Sequence, residues 1–126
     1  MAILGFGVDI VGINRIRELR EKYGDRFLKR IFTDLELKYC GDSKRCDEML
    51  AARFAAKEAT MKALDTGMYK GVHFRDIEIT GGTDTQPKVF LHDRAIGPCR
   101  ACGATKVFLS LSHERDYAVA MVVVTD

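Results

Sequence analysis

The chain has 126 residues and a formal net charge of +2 at pH 7, and 47% of its residues are hydrophobic while 30% are charged. This length predicts a single domain, residues 1–126, whose core buries roughly two-thirds of the surface of the unfolded chain. The composition excludes a disordered or fibrous protein and a membrane-spanning helix, and the small net charge does not by itself predict nucleic-acid binding.

The N-terminal segment predicts a short strand that ends at a functional group. Ile3 to Asp9 is an apolar run that closes with a carboxylate, and strand ends are common positions for functional side chains. The segment lacks the basic region and continuous apolar stretch of a secretory signal. We therefore expect a cytoplasmic protein without a membrane partner.

Basic residues concentrate in the next part of the chain. Between Asn14 and Arg45 there are ten Lys or Arg residues and six Asp or Glu residues, a local charge of +4. We expect a helix from Asn14 that stops before Gly24, and a short helix that starts at the capping box Thr33–Glu36 and ends at Gly41. Such a basic surface is either a solvated helix face or a binding face for an acidic protein or a phosphorylated ligand.

The longest predicted helix runs from Asp47, as N-cap, through Leu64, because this segment lacks Gly and Pro and is rich in strong helix formers. Glu58 and Lys62 are four residues apart and therefore share one face. Spacing alone favours an ordinary helix salt bridge between them. Together with Asp9, however, Glu58 would offer the oxygen ligands that suit Mg²⁺.

The C-terminal half predicts two hairpins separated by a short helix. The last strand is apolar on both faces, which is typical of a central strand or of one that meets another subunit. The order of elements predicts an α+β fold with a largely antiparallel sheet, one long helix and shorter helices, and no dinucleotide-binding motif occurs. The expected elements are the strands Phe74–Thr80 and Lys88–His92 around a turn at Gly81–Asp84, a helix within Asp93–Cys102, and the strands Lys106–His113 and Tyr117–Thr125.

The histidines and cysteines give weaker signals. His113, at the end of a predicted strand, is a candidate catalytic base, phosphate ligand or capping residue. In a reducing compartment the four cysteines are expected as thiols rather than as two disulfides, and the spacing of a lone C-x-x-C is poor evidence for zinc. These cysteines are Cys40, Cys46, Cys99 and Cys102.

Three segments, in their order and approximate separations, resemble the 4′-phosphopantetheinyl transferases. They are Gly7-Val8-Asp9-Ile10 followed by Arg15, Arg53-Phe54-Ala55-Ala56-Lys57-Glu58-Ala59 with Lys62-Ala63, and Ser110-Leu111-Ser112-His113. The resemblance spans nearly the whole chain, and its length is that of the short bacterial form of the family. It implies the fold of that family and a homotrimer with active sites between subunits.

The resemblance also implies a reaction, a metal and partners. The 4′-phosphopantetheine arm of coenzyme A would pass to a serine of apo-acyl carrier protein in support of fatty acid biosynthesis, with release of adenosine 3′,5′-bisphosphate. Asp9 and Glu58 would bind Mg²⁺, Lys62 would neutralise the phosphates, and Glu58 would be the proton acceptor. These three are the expected catalytic residues.

Further residues receive roles through the same resemblance. Lys44, Arg45, Arg53 and Lys62 would contact coenzyme A, and His113 would reach the same ligand from the adjoining chain. Arg15, Arg20 and Arg26 would meet the acidic recognition helix of the carrier protein. One departure from the family pattern is Asp65 of Asp65-Thr66-Gly67, which stands where a glycine is common.

Two alternatives remain at the level of sequence. The first is a transferase that serves carrier domains of secondary metabolism. The second is a non-catalytic basic module for nucleotides or nucleic acid, but stacking aromatics do not interleave with the arginines, because Tyr23, Phe27 and Phe32 are assigned to the core. We therefore expect no nucleic-acid partner.

Overall fold

The computed structural model describes residues 1–65, 71–82 and 85–126, and within them helices and antiparallel strands form the predicted α+β arrangement. The helices are α1 (Ile13–Tyr23), α2 (Asp25–Ile31), α3 (Asp34–Cys40), α4 (Cys46–Ala63) and α5 (Ile96–Ala101). The strands are β1 (Ile3–Gly12), β2 (Ile77–Thr80), β3 (Lys88–Leu91), β4 (Lys106–His113) and β5 (Tyr117–Thr125).

A three-stranded antiparallel sheet in the order β1–β5–β4 forms one layer of the molecule. The prediction that the last strand is central is therefore confirmed. Alternate residues of β5 are buried on the side that faces α4, and the opposite side of the sheet is open. In this register Asp9 lies opposite Ala120, and His113 lies opposite Ala118.

Helix α4 crosses this sheet at short range because two residues of β1 have no side chain. A Cβ atom on Gly5 would lie 2.1 Å from the Ala63 carbonyl oxygen, and one on Gly7 would lie 2.1 Å from that of Ala59. Glycine is therefore required at both positions for the observed spacing. The close approach brings the first half of β1 against the last two turns of α4, and Asp9 lies within this strand and not at its end as predicted.

The short helix α3 follows the prediction closely. The Thr33 hydroxyl accepts from the backbone N–H of Glu36, and the Glu36 carboxylate accepts from that of Thr33, so both halves of the capping box are formed. The helix ends at Gly41, whose φ of 52° is in the left-handed region that favours glycine.

The predicted N-cap of α4 is wrong. Helix α4 begins at Cys46 with Arg45 in the cap position, and Asp47 lies inside the first turn. The Asp47 carboxylate accepts instead from the guanidinium groups of Arg17 and Arg20 on α1, and their hydrogen bonds and charge lower its pKa. A tertiary ion pair has thus replaced a local cap.

The first predicted hairpin is formed by β2 and β3, but its first strand starts later than expected. Phe74–Asp76 is a 3₁₀ turn, because the Asp76 carboxylate accepts from the His73 backbone N–H and from two nitrogens of Arg94. The turn predicted at Gly81–Asp84 lies partly outside the described residues, which omit 83–84.

A buried ionic cluster connects this hairpin to the helices. Lys57, with no exposed surface, pairs with Glu36 at 2.8 Å and donates to the carbonyl oxygens of Phe74 and Ile77. The second oxygen of Glu36 accepts from the Ile79 backbone N–H at 2.8 Å. Helices α3 and α4 are therefore fastened to β2 through one carboxylate and one ammonium group.

The expectation of four thiols is wrong for one pair of cysteines. Cys40 at the end of α3 and Cys46 at the start of α4 form a disulfide with a Cα–Cα distance of 5.1 Å. The turn between the two helices brings these residues together, which their spacing in the sequence did not suggest. Cys99 and Cys102 are free thiols.

Candidate functional site

The three residues predicted to be catalytic meet where α4 lies against β1. Lys62 on α4 donates from Nζ to Asp9 Oδ1 at 3.2 Å and to the Val8 carbonyl oxygen at 2.9 Å. Among the described residues Lys62 thus pairs with Asp9, and not with Glu58 as helix spacing alone favours. Glu58, half-buried one turn before Lys62 on α4, completes this group, which we call the carboxylate site.

The negative charges of the carboxylate site repel each other, so the site attracts cations. Burial raises the pKa of Glu58, and the negative charge of Asp9 raises it further, whereas the charges of Lys62 and Arg15 act in the opposite direction. Arg15, predicted to face the carrier protein, is therefore close enough to act on Glu58. A divalent cation between the two carboxylates would relieve their repulsion.

The residues of this site fit a hard divalent cation that keeps other ligands. Carboxylate oxygens suit Mg²⁺, which usually takes one or two carboxylates and fills its remaining positions with water and phosphate oxygens. Within the described residues no group of three His, Cys, Asp or Glu side chains is placed to hold a metal. Asp9 and Glu58 would therefore supply only part of the coordination shell.

Asp65, directly after α4, adopts a backbone conformation that favours glycine, the residue that the resemblance led us to expect there. Its φ is 53°, in the left-handed region where a side chain costs of order 1 kcal/mol. Thr66 and Gly67, which complete the turn considered in the sequence, lie outside the described residues. The departure from the family pattern is therefore accommodated by a strained backbone at Asp65.

A second group of predicted residues lines a cavity of about 320 Å³ at the start of α4, which we call the basic pocket. Arg45 donates from Nη2 to His113 Nε2 at 3.2 Å and from Nε to Glu48 at 3.2 Å, and Arg53 forms part of the wall. Lys44 is exposed beside Arg45 in the chain.

His113 lies in this pocket together with Arg45 and Arg53. The resemblance placed His113 on the opposite side of a subunit boundary from Arg45 and Arg53. In the structure the end of β4 lies beside the start of α4, so all three residues line the same pocket of one chain. Glu48, which the sequence did not single out, provides the only carboxylate among the described lining residues of this pocket.

Arg53 is an unusual member of the basic pocket because only 2% of its surface is exposed. It donates from Nη2 to the Gly81 carbonyl oxygen at 2.9 Å, and the ring of Tyr39 covers its guanidinium at 4.5 Å. Its Nε is buried without a hydrogen-bond partner among the described residues. A buried donor of this kind calls for an additional acceptor.

The carboxylate site and the basic pocket occupy different faces of α4. Arg53 and Glu58 are five residues apart, which rotates their side chains by about 140° around the helix axis. Arg45 and Glu58 are separated by about 20 Å along the axis, at 1.5 Å per residue. One chain therefore presents two groups of functional residues in different directions.

The residues predicted to meet a protein partner are less uniform than expected. Arg26 lines a groove of about 410 Å³ between α1 and α2, together with Leu19, Tyr23, Phe27 and Arg30. Arg20, by contrast, is bound to Asp47 through two hydrogen bonds. Tyr23 is half-exposed, so its assignment to the core was wrong, whereas Phe32 is fully buried.

The sequence contains a pattern of aromatic and basic residues that indicates this groove. Aromatic residues and arginines alternate across Gly24 at helical spacing, in the order Tyr23, Arg26, Phe27 and Arg30. Such a pattern places apolar and basic groups on one surface. For the contact between Tyr39 and Arg53 the sequence offered no comparable signal, since it depends on how α3 packs against α4.

Comparison with known proteins gives a consistent result. The model of a family described as the 4′-phosphopantetheinyl transferase superfamily matches residues 5–122. A holo-[acyl-carrier-protein] synthase of Koribacter versatilis is 44% identical over 124 residues, which is 98% of this chain and 99% of that protein.

Solved structures agree with the sequence comparison. The holo-[acyl-carrier-protein] synthase of Neisseria meningitidis has a TM-score of 0.88 and 38% identity, with coverage of 99% of this chain and 100% of that one. The corresponding enzyme of Helicobacter pylori, in complex with coenzyme A, has a TM-score of 0.82 and 32% identity, with coverage of 95% and 99%.

Proposed function

Because the chain belongs to the 4′-phosphopantetheinyl transferase superfamily and is an enzyme of that family, we propose that it transfers the 4′-phosphopantetheine arm of coenzyme A to a serine of apo-acyl carrier protein. The observation that carries the proposal is the pairing of two sites on α4. One is rich in carboxylates and the other is basic, as a substrate with a metal-binding pyrophosphate and a separate phosphate requires.

The chemistry needs a proton acceptor and a neutralised leaving group. The serine oxygen attacks the phosphorus that carries the pantetheine arm, the bond from that phosphorus to the bridging oxygen breaks, and adenosine 3′,5′-bisphosphate leaves. Glu58 accepts the serine proton as the general base. The Lys62 ammonium group is placed to neutralise the leaving phosphate.

Asp9 and Glu58 are the residues that would hold Mg²⁺. When bound, that ion neutralises the pyrophosphate oxygens and the charge that develops on the leaving group. In the structure Lys62 forms an ion pair with the Asp9 carboxylate. Its long, exposed side chain can turn toward a phosphate oxygen while keeping its charge. Asp9 and Glu58 would thus bind the metal, and Lys62 would bind the phosphate.

The basic pocket is assigned to the 3′-phosphate and adenine side of coenzyme A. Arg45, Arg53 and His113 supply donors, and the Nε of Arg53, which lacks a partner in the part of the chain that the structure describes, is a further donor for an anion. The exposed Lys44 adds positive charge at the same end of α4.

A homotrimer accounts for the two directions in which α4 presents these sites. The pyrophosphate and the 3′-phosphate sit on the same nucleoside, and a ligand of that size does not reach around one helix between side chains that point about 140° apart. It can contact the carboxylate site of one chain and the basic pocket of the next. The open face of the β1–β5–β4 sheet supports this assembly, since its exposed residues include Phe6, Val8, Ile10, Phe108 and Met121.

The carrier protein is assigned to the groove between α1 and α2. Its walls combine aromatic and aliphatic side chains with Arg26 and Arg30, which suits an acidic amphipathic helix. Arg15 links this surface to the chemistry, because its charge reaches Glu58. Arg20 contributes to the positive field while it remains bound to Asp47.

We place the enzyme in the cytoplasm and in fatty acid biosynthesis, where an acyl carrier protein is used. Among the described residues no helix is both long and apolar enough to cross a membrane. Membership of an enzyme family overturns the alternative of a non-catalytic nucleotide or nucleic-acid module. Carrier domains of secondary metabolism are tested in the same assay as competing acceptors.

The experiment is to incubate the protein with coenzyme A, Mg²⁺ and apo-acyl carrier protein and to measure the mass of the carrier. We expect a gain of one phosphopantetheine, and no gain when the acceptor serine is replaced by alanine or when a chelator removes the metal. Absence of transfer to every carrier tested would refute the proposed function. Sedimentation of the same sample tests the assembly, and a monomer at micromolar concentration would contradict the shared site.

A further inference from the structure

We propose that Tyr39 is a positioning residue for coenzyme A binding, because its ring holds the buried guanidinium of Arg53 in the wall of the basic pocket. This inference rests on the proposed function, since the ligand is the phosphorylated nucleoside of coenzyme A. Tyr39 itself is not assigned a contact with the substrate.

The buried charge of Arg53 has no paired carboxylate among the described residues. Arginine side chains are almost never fully buried unless they are paired, yet Arg53 is 2% exposed. Within the described residues no carboxylate oxygen lies within 4.0 Å of its nitrogens, and its backbone partner is the Gly81 carbonyl oxygen. The carboxylate that acts on the Arg53 charge is that of Glu36, and Tyr39 acts on it as well.

The carboxylate of Glu36 is already occupied by other donors. It pairs with Lys57 and accepts from the backbone N–H groups of Thr33 and Ile79. Burial accordingly lowers the pKa of Arg53, although a guanidinium stays charged in a protein. The group is thus a buried cation whose compensation is incomplete until an anion arrives.

The Tyr39 ring lies against the Arg53 guanidinium and attracts it. The centre of this ring lies 4.5 Å from Arg53 Cζ, a distance at which the negative face of an aromatic ring attracts a guanidinium. Tyr39 is 40% exposed, so burial in the core does not explain its position on the outer side of α3. Its contact with Arg53 does.

The two contacts of the Arg53 guanidinium leave one of its edges available to an anion. The ring covers the face of the guanidinium, and the Gly81 carbonyl binds Nη2 at its end. Among the described residues, the edge that carries Nε has no hydrogen-bond partner. A guanidinium fixed at two points loses little freedom when it binds a third group, so the ring lowers the cost of binding a phosphate.

The test measures the affinity of the wild-type protein and its variants for adenosine 3′,5′-bisphosphate by calorimetry. Tyr39→Leu keeps an apolar side chain but removes the aromatic face, and we expect a dissociation constant about 5- to 30-fold higher. Tyr39→Phe keeps the face and should stay within about threefold of the wild type. Leu35→Ala is the matched control, because Leu35 is exposed on the same helix one turn earlier.

A double-mutant cycle with Arg53→Gln separates positioning from a general structural effect. If Tyr39 acts through Arg53, Tyr39→Leu has no further effect on affinity in the Arg53→Gln background. In the transfer assay the Tyr39→Leu variant should raise KM for coenzyme A and leave kcat nearly unchanged. If Tyr39→Leu does not fold, the comparison of Tyr39→Phe with Tyr39→Met in the same cycle replaces it.

Three outcomes would overturn the proposal. They are wild-type affinity in Tyr39→Leu, an equal loss in Tyr39→Phe, and additive effects in the cycle. A wild-type protein that binds no adenosine 3′,5′-bisphosphate and transfers no phosphopantetheine would instead refute the proposed function, so the two failures are distinguishable.

Discussion

Helix α4 contributes one lysine to each of two groups of charged side chains, and the groups differ in how completely their charges are paired. In the buried cluster, Lys57 and Glu36 have no exposed side-chain surface, and each is bound by several partners. In the carboxylate site, Lys62 is 54% exposed and pairs with Asp9, while its charge acts on Glu58 only through space. The first group is complete within the chain, and the second is not.

This difference separates stability from chemistry along one helix. A buried ion pair with all its hydrogen bonds tolerates no missing member, because the remaining charge would be stranded in the interior. A half-exposed pair of carboxylates costs less to maintain and retains free lone pairs for a cation. Lys57 and Glu58 are adjacent in sequence, yet their side chains belong to the two different groups.

The largest expected effect is on turnover, through Glu58→Gln. This change keeps the shape of the side chain but removes the proton acceptor and one metal ligand, so we expect kcat to fall by a hundredfold to ten-thousandfold, an order-of-magnitude range. The thermal midpoint should be unchanged or slightly higher. Glu21→Gln, an exposed change on α1, is the control, and near-normal turnover in Glu58→Gln would remove Glu58 from the chemistry.

The next effect is on stability, through Lys57→Met. Loss of the ammonium group leaves the Glu36 carboxylate buried beside two carbonyl oxygens, and we expect the free energy of unfolding to fall by about 3–5 kcal/mol. Denaturant unfolding measures it. Lys62→Met, five residues later on the same helix, is the matched control and should change stability by less than about 1 kcal/mol while it impairs turnover. Equal losses of stability in both variants would contradict the comparison.

The spacing of β1 and α4 can be tested through Gly7→Ala. A Cβ atom at this position would meet the Ala59 carbonyl oxygen at 2.1 Å, so the strand must move away from the helix. We expect a loss of about 1–3 kcal/mol in the free energy of unfolding. Because Asp9 moves with the strand, kcat should fall even at temperatures where the variant is folded.

Gly12→Ala provides the control on the same strand. A Cβ atom there would meet no atom within 4 Å, so both stability and turnover should stay close to those of the wild type. If Gly7→Ala loses stability but keeps full turnover, the close approach of β1 to α4 does not set the geometry of the carboxylate site.

The disulfide between Cys40 and Cys46 should contribute less than the buried ion pair. It closes a loop with a sequence separation of 6, for which chain entropy predicts about 2 kcal/mol of stabilisation. Reduction should therefore lower the thermal midpoint by roughly 5–10 °C. Thiol counting before and after denaturation checks the bond itself, and four reactive thiols in the untreated protein would show that the bond is absent.

Local signals in the sequence predicted most of the fold. The capping box predicted α3, and the run of helix formers from Asp47 to Leu64 predicted α4, which the structure places at Cys46–Ala63. The two apolar faces of β5 indicated either a central strand, as observed, or a strand that meets another subunit. The errors share one cause, which is competition from tertiary contacts. Asp47 has the side chain of an N-cap, but two arginines of α1 bind it more strongly than a backbone N–H would.

The candidate site was predictable to a different extent. Asp9, Glu58 and Lys62 were identified by resemblance, and the geometry that joins them depends on Gly7, whose importance only the packing of β1 against α4 explains. The sharing of one pocket by His113 and Arg45 was not predictable, because the two residues are 68 positions apart in the chain. Contacts at that separation are set by topology and not by local pattern.

The smallest predicted effect concerns the ionisation of Glu58 and tests whether the carboxylate site is incomplete. Its folded-state pKa is raised above the unfolded value, so below the unfolded value its ionisation costs no stability, and stability falls as pH rises through the folded pKa. Glu58→Gln removes this loss, so the wild type and the variant should be equally stable below about pH 4 and the variant slightly more stable at neutral pH. Because Glu58 is half-exposed, the difference should not exceed a few °C in thermal midpoint.

Mg²⁺ should then raise the midpoint of the wild type at neutral pH and leave that of Glu58→Gln nearly unchanged, since binding to the folded state alone stabilises it. An equal response of both proteins to Mg²⁺ would mean that the second group of charges on α4 is not completed by a cation.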